Sequence, residues 1–226
     1  MNTEHSNDLM HQFVYDADIP RASLRFDIIK PVISESMLLP QIDIPRMEAC
    51  SCFVIGAYTA LVTLTNHLLE RYCKELLLVY DHGNEFMRMY KREENIPIES
   101  SSYYLKKDLS SVLKSCKSKG LLSKEQWKVF DIYREVFRNG YSHYDPSKIL
   151  QGATYTVTEL NVNGVLSEPK EIKFEDSPHV GLAIDDFARK NGWNYFVSVE
   201  NFMRDTVKYF HNPNHDPKLP KVEYLE

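Results

Sequence analysis

The residues of this chain best equipped for chemistry lie together in Arg138-Asn139-Gly140-Tyr141-Ser142-His143. Arginine carries a permanent cation with a fork of donors that fits phosphate oxygens, and histidine gives or takes a proton near neutral pH. Brought to one site, they could cleave a phosphodiester. His143 would act as general acid or base, Arg138 would stabilise charge on phosphorus, and Asn139 would hold the geometry or a phosphate oxygen. Tyr144 adds a ring on which a base could stack. In an unbroken α-helix, residues five apart lie well over a quarter-turn from each other, so the pair converges only if the helix stops. Gly140 is the expected stop, with Asn139 to Tyr144 as a connecting corner. The purely structural alternative is an arginine bonding the last carbonyls of a helix and a histidine capping the next turn.

No paired carboxylates and no His/Cys set at ligand spacing mark the chain, so a two-metal mechanism has no visible home and neither metal nor cofactor is expected. The economical nucleophile is then the substrate's own 2′-hydroxyl, already held beside phosphorus, which makes RNA the expected substrate. Cys50, Cys52, Cys73 and Cys116 are expected to be buried, reduced thiols. His211 and His215 are separated by a proline that spoils helical ligation. Arg204 and His211 form a second Arg–His pair, but they continue the exposed face and end of the last helix, and a surface role explains them.

The elements that must position Arg138 and His143 are helical. Ser123 and Gln126 have the spacing of a capping box, and Val129, Phe130, Tyr133, Val136 and Phe137 follow as one buried stripe. Asp145-Pro146 opens a short further helix. Upstream, Met47 to Tyr80 reads as one long central helix, kinked near Gly56 and ended by Asp81-His82-Gly83. Thr63, Asn66, His67, Glu70 and Lys74 form a polar stripe along it. That stripe is either a solvent face or the element that sets Glu70 or Asn66 against Arg138; His67 is left out of catalysis. Leu105, Leu109, Val112, Leu113 and Cys116 mark an amphipathic helix ended by Gly120, with a helix at Asn84 to Lys91 and a loop at Glu93 to Ser102 before it. Arg21 to Pro45, with three prolines, is expected to be partly extended, with one short helix around Val32 to Leu38. After Leu150 the period changes to two, and strands on either side of Asn163-Gly164 predict a β-hairpin. Helices at Leu182 to Lys190 and Trp193 to Phe210 follow, the second returning to the bundle.

The expected fold is thus mainly α, an antiparallel helical bundle with a β-hairpin appendage. Its parts are an arm and wrapped segment over 1–45, a core over 46–150, the hairpin and C-terminal helices over 151–211, and an extended tail over 212–226. A net charge of −5 argues against non-specific coating of nucleic acid. Lys106 to Arg138 nevertheless carries a local excess of positive charge, either a solvated face or an RNA groove. No charged start leads into an apolar run, and Cys52 to Leu64 is too short to span a bilayer, so a cytoplasmic protein without a membrane partner is expected.

The Arg-x4-His pattern with Asn directly after the Arg, late in a helical chain, resembles the HEPN superfamily (higher eukaryotes and prokaryotes nucleotide-binding) over about Arg46 to Leu150. The resemblance implies a small helical bundle that dimerises, and metal-independent endoribonuclease activity in toxin–antitoxin, abortive-infection or other defence systems. An antitoxin or other protein partner would then be expected. It also implies a polar residue on the long helix, Glu70 or Asn66, facing Arg138. The rival reading is the same bundle without catalysis, binding a nucleotide, an RNA phosphate or a protein partner.

Overall fold

The computed structural model describes residues 19–83, 102–141, 143–158 and 167–211. The expected helix at 84–91, the loop after it, the Asn163-Gly164 turn and the tail lie outside them. The chain is mainly helical, with one two-stranded hairpin. Among the described residues, no helix is long and apolar enough to cross a membrane.

Three helices precede the motif region: α1 (Ile19–Ile33), α2 (Pro40–Ile55) and α3 (Tyr58–His82). The expected single rod from Met47 to Tyr80 is two helices. Gly56 adopts φ 79°, a left-handed conformation open to glycine at little cost, and Ala57 and Gly56 donate to the carbonyls of Cys52 and Phe53 to close a Schellman turn. The chain then folds back on itself, so that Gln41 near the start of α2 donates to Glu75 late in α3 at 2.6 Å. The largely extended segment expected over Arg21 to Pro45 is also corrected: α1 and most of that stretch are helical, and the predicted short helix at Val32 to Leu38 is mostly the non-helical link. Pro40 occupies the first helical turn of α2, where no donor is needed, and Pro31 sits in the last turn of α1. In the link, the Asp43 carboxylate accepts from the Met37 and Leu39 amides and the Ser36 hydroxyl.

At 25 residues, about 37 Å, α3 is the central rod. Leu61, Leu68, Leu69, Tyr72, Leu76 and Leu77 along it are buried in one core cluster that extends from Ile29 to Phe210. A one-turn helix, α4 (Ser102–Leu105), precedes α5 (Leu109–Ser118). Leu105 ends that turn exposed, whereas Leu109, Val112, Leu113 and Cys116 are buried as their spacing predicts. Gly120 closes α5, with the Leu121 amide donating to Cys116 O at 2.9 Å. α6 (Lys124–Tyr133) opens with the capping box, Gln126 N donating to Ser123 Oγ and Ser123 N to Gln126 Oε1.

After the motif come α7 (Pro146–Leu150), β1 (Thr154–Val157), β2 (Lys170–Lys173), a 3₁₀ turn at Phe174–Asp176, α8 (Val180–Thr206) and α9 (Lys208–His211). The strands are antiparallel, Tyr155 opposite Ile172 and Val157 opposite Lys170. The two helices expected after the hairpin are one continuous helix of 27 residues. Gly192 does not break it but lets it lie close on α3, where a Cβ would come within 3.2 Å of Val62 Cγ2. Beside this contact, fully buried Arg46 donates from Nε and Nη2 to the two oxygens of Glu200, each at 2.7 Å, and from Nη1 to the Glu35 carbonyl. The two carboxylate bonds are the bidentate geometry that makes a buried charge tolerable.

The candidate functional site

α6 does not stop before the motif. It runs into a seven-residue π-helix, Arg134–Gly140, which carries Arg138 and Asn139. The run ends at Gly140 as its glycine predicts, but Asn139, expected in the corner, lies inside the π segment. Gly140 is buried because α7 lies against it, a Cβ there falling 2.7 Å from Ile149 Cγ1. The chain reverses within the expected corner, with Tyr144 in a left-handed conformation (φ 46°) and the Asp145 amide returning to Gly140 O at 2.8 Å. The buried stripe holds at Phe130, Val136 and Phe137, but Val129 is exposed. Asp145 stands at the N-cap of α7 without a side-chain capping bond and accepts instead from Ser147 Oγ.

A π segment strains a helix and changes the phase of everything after it, so something must hold it. Asn66 does so from α3. It is buried, its Nδ2 donates to the Phe137 carbonyl at 3.2 Å, and its Oδ1 accepts from the Tyr195 hydroxyl of α8 at 2.9 Å. That carbonyl belongs to the peptide whose nitrogen is Arg138's, so the α8–α3 pair fixes the backbone from which the guanidinium projects. Tyr195 is fully buried, and burial pushes its hydroxyl pKa well up, leaving it a neutral donor. Glu70, one turn further along, bonds Lys74 at 2.6 Å. Thr63 and His67 are exposed, whereas Glu70 and Lys74 are half-buried beside α4, so only the first part of the polar stripe is a solvent face, and Asn66 within it is buried.

Local carboxylates are distributed unequally among the cations. Arg134 takes both Asp131, at 2.9 Å, and Glu135, at 2.6 Å. Asn139 Nδ2 donates to the other oxygen of Glu135 at 3.0 Å, and that bond, ahead of the pairing with Arg134, holds the Glu135 carboxyl below its ordinary pKa. Arg138 is half-buried, and among the described residues its side chain has no hydrogen bond or ion pair. Its field reaches Asp108 at the start of α5, whose pKa is lowered first by bonds from Ser111 and then by Arg138 and Arg134. His143 is exposed, bonded only through its amide, to Asn139 O at 3.3 Å. Tyr144 is 60% exposed. Arg138 and His143 therefore flank one chain reversal with free side chains. Among the described residues, no bond joins them and neither side chain binds a helix-terminal carbonyl.

The second Arg–His pair is engaged. Arg204 bonds Glu200 at 2.7 Å and pairs with Glu35, and His211 Nε2 lies 2.8 Å from Met37 O. Cys50, Cys73 and Cys116 are buried and Cys52 half-buried, all free. Among the described residues, no three His, Cys, Asp or Glu side chains gather as a metal-holding group. Tyr195 was not recognisable as part of the site from sequence. Its one signal is a hydroxyl placed among the core positions of α8, which must find a partner when buried. Compared with known proteins, the chain matches no family model, no curated protein and no solved structure.

Proposed function

We propose that this chain is a metal-independent endoribonuclease of the HEPN kind, acting as a homodimer, that cleaves RNA through the substrate's 2′-hydroxyl. His143 moves the proton, Arg138 neutralises the charge on phosphorus, Asn139 keeps the turn in shape, and Tyr144 offers a base its ring. The observation that carries the reading is an arginine, half-buried and without a partner among the described residues, on a π segment pinned from behind by Asn66, with an exposed histidine at the chain reversal that follows. Local strain and unpaired cations cost stability, and they persist where a ligand uses them. Val129 and Ile132, exposed one turn apart on α6, supply apolar surface beside the corner for a second copy, which would double the few groups one corner offers. A toxin or defence effector restrained by an antitoxin is the setting that the HEPN resemblance implies.

Mass spectrometry of the ends of one defined single-stranded oligonucleotide, cleaved with and without EDTA, tests the mechanism. A 2′,3′-cyclic phosphate upstream and a free 5′-hydroxyl downstream, unchanged by EDTA, are expected. Ends carrying 5′-phosphate, or a metal requirement, overturn it. The second reading is a non-catalytic module that holds a nucleotide or RNA phosphate, favoured by the absence of a bond between Arg138 and His143. Binding without cleavage across varied RNAs selects it.

A further inference from the structure

We infer that Tyr103, with Lys106 and Lys107, forms a second contact site for single-stranded RNA, stacking one base at a distance from the Arg138–His143 corner. The nature of the ligand rests on the ribonuclease reading above. Among the described residues only three aromatic side chains are exposed: Phe26, Tyr103 and Tyr144. Tyr144 lies in the corner itself. Tyr103 is 61% exposed on α4, and its hydroxyl has no hydrogen-bond partner among the described residues. Lys107 holds the ring, its Nζ 3.9 Å from the centroid, and the edge of the pair with Tyr104 restrains it further. A fixed, accessible ring beside an ammonium is the arrangement that takes a base on its face and the neighbouring phosphate on its cation, without regard to sequence.

The position of this ring relative to the corner follows from α3. Asn66, Glu70 and Lys74 share one face of that helix at successive turns. Asn66 bonds the Phe137 carbonyl beside Arg138, and Lys74 Nζ donates to the Leu105 carbonyl of α4 at 3.2 Å. Eight residues of α-helix separate the two attachments, about 12 Å. That rise between the two attachments along α3 equals three or four stacked nucleotides at about 3.4 Å each. Glu70 is paired with Lys74, whereas Asp108, bonded by the Ser111 amide, keeps its negative charge. Lys106 and Lys107 beside Tyr103, and Arg138 at the corner, set cations at the two ends of that span.

The test uses the full chain carrying His143→Ala, which on the ribonuclease reading stops cleavage, and a fluorescent unstructured ten-nucleotide RNA read by anisotropy. In that background Tyr103→Ala is expected to raise Kd between about fivefold and a hundredfold, the range of one aromatic–base stack. Tyr103→Phe stays within twofold, and Phe26→Ala, which removes the third exposed aromatic, leaves binding unchanged. With His143 intact, Tyr103→Ala raises KM and leaves kcat within twofold. A Tyr103→Ala Kd within twofold of its parent, or an equal loss with Phe26→Ala, overturns the site. Cleavage that depends on Arg138 and His143 but ignores Tyr103 sinks this inference and spares the ribonuclease. Tyr103-dependent binding without cleavage by the unmodified protein does the reverse, and neither binding nor cleavage sinks both.

Discussion

Asn66→Asp isolates the bond that holds the π segment. The replacement is nearly isosteric and keeps an acceptor for the Tyr195 hydroxyl, but an ionised carboxylate cannot donate to Phe137 O and would face that carbonyl at about hydrogen-bond distance. The site is 7% exposed, so burial and the carbonyl both favour the neutral acid and raise its folded pKa above the ordinary value of about 3.9. A rise of about three units corresponds to about 4 kcal/mol lost at pH above 7, a large part of the stability of a typical domain. A group whose pKa is raised by folding contributes its stability below the unfolded pKa and loses it as pH climbs through the folded one. The deficit relative to the parent therefore shrinks towards pH 4, where the protonated carboxyl can donate as the amide did, and is full at neutrality. Urea unfolding of parent and variant from pH 4.5 to 8 measures it. A deficit below about 1 kcal/mol at pH 7.5, less than one buried hydrogen bond, or a deficit flat in pH, would refute the claim that Asn66 carries the segment.

Removing one member of the buried pair, by Arg46→Met or Glu200→Gln, should cost about 3–5 kcal/mol in urea unfolding, whereas Arg46→Met with Glu200→Leu should recover most of it. Gly140→Ala should destabilise by about 1–3 kcal/mol, because its methyl meets Ile149 Cγ1, and the loss should be less than additive with Ile149→Ala. Arg138→Ala and His143→Ala should abolish RNA cleavage with Tm within a few degrees of the parent, whereas Arg204→Ala should retain cleavage and lose about 1 kcal/mol through its bonds to Glu200 and Glu35. Thiol labelling of the native protein at pH 8 should modify Cys52 first, with Cys50, whose pKa burial pushes up to about 12, and fully buried Cys73 and Cys116 reacting only on unfolding. Equal rates at all four would contradict the core described above.

Features written in adjacent residues were legible in the sequence: the Ser123–Gln126 box, the α5 stripe ended by Gly120, Asp145-Pro146, and the alternation flanking Asn163-Gly164. Glycine marks the chain's breaks legibly at Gly56 and Gly120, where the backbone turns left-handed. At Gly140 and Gly192 the residue is small because another helix passes close by, and the partners, Ile149 and Val62, carry no mark in the local pattern. Pro31 and Pro40 suggest breaks in the sequence, yet both sit near helix ends where a missing donor costs little. The π segment had no sequence signature, because the bond that sustains it comes from Asn66, 71 positions away from Phe137. Tyr195 reaches Asn66 across 129 positions.

The pairing of Arg46 with Glu200, 154 positions apart, sets an order of assembly. A ribosome releases α2 and α3 long before α8 exists, and the pocket that α2 offers at Arg46 is closed by the Val32 and Glu35 carbonyls on one side only. Until Glu200 arrives, a guanidinium has to stay hydrated, so the α2–α3 hairpin cannot settle into its final packing ahead of the C-terminal helix. Contacts of such long sequence separation form late and slow the search. A chain cut after residue 150 would keep every residue of the Arg138–His143 corner and lack the carboxylate that lets the helices behind it close. Such a fragment is expected to be loose, and nascent chains of that length are the ones that a chaperone would need to shield.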